Sequence, residues 1–169
     1  MKKKITSLLI DAKPDQRIQF YLSLDLLQVN RACVCQDNTF DALAYLKQHS
    51  DFIPDYIFIS ADLPVEHATA FMKHVRKISR LADIPVLHFA APGEALALAP
   101  LTAAGFNGCL LKQRDIYTLR DALRMIFEQT FTVEKAPAPV SPLSNVAVLI
   151  KEMLQRHQVL LEAPHRLSA

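Results

Sequence analysis

Five short apolar runs alternate along this chain with five segments whose apolar residues recur at helical spacing. The runs are ITSLLI (5–10), ACVC (32–35), YIFIS (56–60), PVLHFA (85–90) and GCLL (108–111); the helical segments fall near 14–29, 38–49, 66–80, 94–104 and 115–130. Strands separated by connections of that length cannot pair as tight hairpins. Each connection crosses over, so successive strands lie parallel and helices cover both faces of the sheet. The runs are apolar almost throughout, as a sheet buried on both sides requires. The pattern predicts an α/β domain with a doubly wound, five-stranded parallel sheet over residues 1–131.

Local signals agree. Pro14 with Asp15 opens the first helix, Asp37 or Asn38 the second, and Asp115 the fifth. Ile18, Leu22, Leu26 and Val29 form one apolar stripe in the first helix; Leu119, Leu123, Ile126 and Phe127 form another in the fifth. The fourth segment, GEALALAPLTAAG, carries no charge after Glu94, and Pro100 should kink or shorten it. Past Phe131 the alternating prolines of TVEKAPAPVSP predict an extended linker over 132–143. A final amphipathic helix is expected within 144–169, ending before Pro164, with Val146, Leu149, Ile150, Met153 and Leu160 on its apolar stripe.

Composition narrows the function. With a net charge of +2 there is no basic field to favour nucleic acid. No apolar run approaches the ~20 residues of a membrane span, and KKKITSLLI meets Asp11 before it could serve as a signal peptide. A cytoplasmic protein without a membrane partner is expected. Cys33 and Cys35 share one face of a strand; with no second pair and no suitably spaced histidine, they read as small packed side chains, as does Cys109. The chain's three glycines form no phosphate-cradling loop, and no cofactor is expected.

In such a sheet the site lies beyond the carboxyl ends of the strands, at DAKPD, SADLP, AAPGE and LKQRD. Together with LLIDAKPDQR, DYIFISADLP, DIPVLHFAA and AGFNGCLLK, these segments resemble the receiver domain of bacterial two-component response regulators, over about residues 4–131. The resemblance implies a phosphoacceptor site: an acidic pair after the first strand, an aspartate four residues before a proline after the third, a Ser or Thr after the fourth, and a lysine after the fifth. It also implies magnesium and a partner histidine kinase. Here Asp11 and Lys112 are present, but Ala12 replaces the second acid, Ser60 the acceptor and Ala90 the hydroxyl residue. Gln113 stands where the family has proline, so a trans bond is expected, and Cys109 takes the aromatic switch position.

Aspartyl phosphorylation needs a carboxylate nucleophile and a divalent cation to neutralise the transferring group. Asp11 alone makes a weak magnesium site, and serine without a base is a poor nucleophile. The standard reaction is not expected, and Ser60 reads as a vestige. Asp62 shares the loop and is the alternative acceptor, against a plain reading as an exposed turn carboxylate. Asp11 and Lys112 are expected to pair directly, with Ser60 hydrogen-bonded between them. In the family, partners read the fourth helix, fifth strand and fifth helix, which singles out Leu96, Leu98, Leu101 and Cys109 together with the terminal stripe. The resulting expectation is a non-enzymatic pseudo-receiver that binds a protein, such as a component linked to a histidine kinase. The alternatives are a receiver still switched through Asp62 or a small ligand, and a self-associating scaffold subunit such as a homodimer.

Overall fold

A computed structural model describes residues 3–131 and 133. Its strands are β1 (Ile5–Ile10), β2 (Asn30–Gln36), β3 (Tyr56–Ser60), β4 (Val86–Ala90) and β5 (Gly108–Leu111). The helices between and after them are α1 (Pro14–Leu26), α2 (Thr39–Gln48), α3 (Val65–Val75), α4 (Leu98–Ala103) and α5 (Ile116–Glu128). The sheet has the order β2-β1-β3-β4-β5, and every pairing is parallel. This is the doubly wound architecture expected from the alternation.

Each central strand feeds two cores by alternation. Leu8, Ile10, Ile57, Ile59 and Val86 enter one with Phe71, Val75 and Leu101; Leu9, Phe58, Leu87, Phe89 and Leu110 enter the other with residues of α1 and α5. In the second core Phe20 meets Phe58 and Phe89 edge-on, with ring centroids 4.9 and 5.7 Å apart. Such contacts contribute about 0.5–1.5 kcal/mol beyond area burial.

The helix starts follow local chemistry. Pro14 is the first residue of α1, where a missing N–H costs nothing. Asn38, rather than Asp37, caps α2 by accepting from the Asp41 amide; Asp115 caps α5 by accepting from the Tyr117 and Thr118 amides.

Two expectations are corrected. In α1 the stripe Ile18, Leu22 and Leu26 is exposed (61%, 42% and 42%), and the buried face is Phe20, Ser23, Leu24 and Leu27. The Ser23 hydroxyl donates to the carbonyls of Gln19 and Ile116, which ties the buried face of α1 to the start of α5. The fourth helix begins at Leu98, not near residue 94, so Pro100 falls in its first turn, where proline is tolerated. It closes with a Schellman arrangement: Gly105, at φ +99°, donates to the Thr102 carbonyl, and Phe106 donates to that of Leu101. Leu101 and Phe106 are both buried in the first core.

The expected linker at 132–143, apart from Val133, and the terminal helix with Val146, Leu149, Ile150, Met153 and Leu160 lie outside the described residues, as does the side chain of Leu98. Among the described residues no helix is long and apolar enough to cross a membrane.

Candidate functional site

The order β2-β1-β3-β4-β5 reverses direction between β1 and β3, which places a cleft beyond their carboxyl ends. Asp11 follows β1, Ser60 ends β3, Ala90 ends β4 and Lys112 follows β5, so four of the residues singled out in the sequence converge there.

Asp11 is fully buried. Its Oδ1 accepts from the Lys13 amide at 2.9 Å, and its Oδ2 is paired with Lys112 Nζ at 3.2 Å. Arg17 holds the same loop by donating to the Asp11 carbonyl at 2.7 Å while pairing with Asp37 at 2.8 Å. Ser60 is buried, and its Oγ accepts from Lys112 Nζ at 2.9 Å. Ala90 is fully buried, whereas Ala12 is exposed. The ammonium of Lys112 lies 5.2 Å from the Phe89 ring centroid. No described residue has a cis peptide bond, so the Lys112–Gln113 bond is trans.

Asp62 is not a simple exposed turn carboxylate. Its side chain turns back over β3, where Oδ2 lies 2.8 Å from Lys112 Nζ and 3.1 Å from Lys13 Nζ. Ser60 Oγ donates to the same oxygen at 3.3 Å and accepts from the Asp62 amide at 3.2 Å. Hydrogen bonding from Lys112, with Lys13 adding to it against partial desolvation, holds the Asp62 carboxyl below its ordinary range. The same contact raises Lys13.

This geometry limits the chemistry. The Lys112 ammonium donates to Ser60 Oγ and Asp62 Oδ2 and forms an ion pair with Asp11 Oδ2, a buried oxygen that has no hydrogen-bond partner. The ammonium has no lone pair with which to take the serine proton. The carboxylate nearest that proton is itself engaged by two lysines, which makes it a poor base. Magnesium does not fit these residues either. Both carboxylates are turned onto Lys112, and Ala12 supplies no oxygen where a second acid is needed. Among the described residues no group of three or more His, Cys, Asp or Glu is placed to hold a metal ion.

The residues expected on an interaction surface separate. Leu101 is a core residue, only 4% exposed, which corrects its assignment to the surface. Leu96 and Cys109 are half-buried against the same core. Reading the sequence missed Lys13, whose signal was its place two residues after Asp11, and Phe89, which alternation puts on the α1 side of β4.

No family model matches this chain, and no curated protein matches it. Solved structures do. The chemotaxis response regulator CheY4 of Vibrio cholerae superposes with a TM-score of 0.57 at 21% identity, over 73% of this chain and 99% of its own. The phosphorylated cyanobacterial phytochrome response regulator RcpA gives 0.60 at 17% identity, over 76% and 98%. The receiver domain of the putative response regulator NarL of Mycobacterium tuberculosis gives 0.57 at 20%, over 76% and 100%. The chain has the fold of response-regulator receiver domains.

Proposed function

We propose that this chain is a pseudo-receiver: a non-enzymatic protein-interaction module of a two-component-like signalling pathway that works without phosphorylation. One observation carries the reading. Asp62 turns into the cleft and, with Ser60, accepts hydrogen bonds from Lys112, the cation that a receiver would direct at a phosphoryl group, while Asp11 adds an ion pair to it. A partly buried network of this kind fixes one geometry more than it adds stability. The module then presents a constant surface to a protein partner, in the cytoplasm and without nucleic acid or membrane. The terminal segment at 144–169 is a candidate second contact or self-association element.

The test is a backbone amide NMR titration with magnesium and then with beryllofluoride, a phosphoryl mimic. Resonances of Asp11, Ser60 and Lys112 that stay fixed into the tens of millimolar support the pseudo-receiver. Saturable shifts that spread along β5 overturn it.

The position of Asp62 also favours a second reading, an atypical receiver switched through that carboxylate. In that case the shifts saturate in the native chain and disappear in Asp62→Asn.

A further inference from the structure

Cys33 and Cys35 occupy alternate positions of β2, so both side chains leave the strand on the side that packs against α1. Their sulfurs are 3.9 Å apart, and both residues are half-buried. Since β2 is an edge strand, the pair stands at the rim of the sheet rather than in its interior.

Ser7, the register partner of Cys33 on β1, lies beside them. It is fully buried, and its Oγ has no hydrogen-bond partner within ordinary geometry. Buried hydroxyls are normally satisfied, and this one leans toward the Cys33 thiol, so the three side chains form one polar cluster. The thiols are themselves unequal. The contact with Cys35 holds Cys33 below its ordinary range, with burial opposing and the Ser7 hydroxyl assisting. Cys35 is pushed up by the same contact and by burial. The two sulfurs contact each other, with either able to donate, and a cation that displaces their protons gains two thiolates.

We propose that Cys33 and Cys35 form a two-sulfur site for a soft, thiophilic metal ion of low coordination number, of the class of monovalent copper. Thiolate ligands select such ions. With metal–sulfur bonds of ~2.3 Å, sulfurs held 3.9 Å apart subtend about 116° at a shared ion. Small χ1 rotations open that toward the flatter angle of a two-coordinate ion. Tetrahedral zinc needs two further ligands, and no third His, Cys, Asp or Glu is grouped with the pair among the described residues. A direct disulfide fits less well. Residues two apart on a strand have Cα atoms about 6.6 Å apart, near the upper end of the disulfide range. Binding forms two metal–sulfur bonds, releases the protons of the two thiols to solvent and changes no oxidation state.

The test uses the full, reduced chain under anaerobic conditions with Cys109→Ser, which removes the remaining thiol. Copper(I) buffered by bathocuproine disulfonate is the probe. The expected result is one ion withdrawn per chain. Affinity should fall in Cys33→Ser and in Cys35→Ser by more than the roughly 10–100-fold that disturbing an outer-sphere partner causes. If no copper is withdrawn, or if either single variant binds like its parent, the site is overturned. A serine variant that loses its fold does not leave the question open, because X-ray absorption at the copper edge reads the loaded Cys109→Ser chain directly. Two sulfur scatterers support the site, and one or none overturns it.

Discussion

Asp62 Oδ2 lies 2.8 Å from Lys112 Nζ, although the two residues are 50 positions apart and Asp62 belongs to a turn rather than a strand. The loop after β3 thereby supplies from two residues downstream the carboxylate that Ser60 lacks. There it offsets the charge of Lys112 and ties the loop after β3 to the loop after β5.

Lys112→Met leaves the Asp11 carboxylate, with no exposed side-chain surface, without its cation. Breaking a buried pair from one side costs about 3–5 kcal/mol. Chemical denaturation should show that loss, and the double variant Asp11→Asn/Lys112→Met should recover much of it. A double variant as unstable as Lys112→Met would show that packing of the lysine stem dominates.

Asp62→Asn tests the other half of the network. The folded-state value of this carboxyl is depressed below 3.8, so its stabilisation is present above that pH and is lost as pH falls through the folded value. Near neutrality the variant should be about 1 kcal/mol less stable, since the side chain keeps some access to solvent. The gap should close in strong acid. Parallel denaturation curves for both proteins at pH 7 and below 3 read the difference, and a gap independent of pH would contradict the pairing.

His88 is 3% exposed on β4, and its Nδ1 has no hydrogen-bond partner. Its ring lies tilted against that of Phe106, with centroids 4.8 Å apart, and the residue pairs in register with Cys109. Burial, with a smaller contribution from the Lys112 charge, lowers its value from 6.5. The unfolded chain therefore binds the proton more readily, and stability falls as pH drops below 6.5 toward the folded value. Thermal unfolding between pH 7.5 and 5 should become less acid-sensitive in His88→Met. An unchanged slope would assign the acid sensitivity to other groups.

The two faces of α1 make opposite predictions. Leu22→Glu lies on the exposed stripe and should change stability by no more than about 0.5 kcal/mol. Phe20→Ala removes a ring in edge contact with Phe58 and Phe89 and should cost about 3–5 kcal/mol. The reverse order in denaturant titrations would restore the stripe read from periodicity.

That stripe shows where reading from the sequence stops. Ile18, Leu22 and Leu26 keep helical spacing, but so do Phe20, Leu24 and Leu27, and a helix apolar on two sides carries two valid answers. The buried side is the one whose Phe20 ring meets Phe58 and Phe89 and whose Ser23 hydroxyl reaches Ile116, contacts made across the fold and absent from local spacing. The strands were readable because burial on both faces leaves them apolar without interruption. Asp11, Ser60, Ala90 and Lys112 were readable as neighbours because the fold puts every strand end in one place. The inward turn of Asp62 was not, because it depends on two lysines contributed by other loops. Pro100 pointed correctly to a shortened fourth helix, while the burial of Leu101 came from the Schellman turn at Gly105.

The sheet order also bears on time. Asp11 and Ser60 are attached to β1 and β3, each hydrogen-bonded to a neighbour on both sides, whereas β2 and β5 have one neighbour each. Local opening begins where backbone bonds are fewest, so amides of β1 and β3 should exchange with deuterium only as the whole domain unfolds. Asp11 and Ser60 would then sit on the slowest clock in the molecule, and Cys33 and Cys35, on the outer strand, on a faster one.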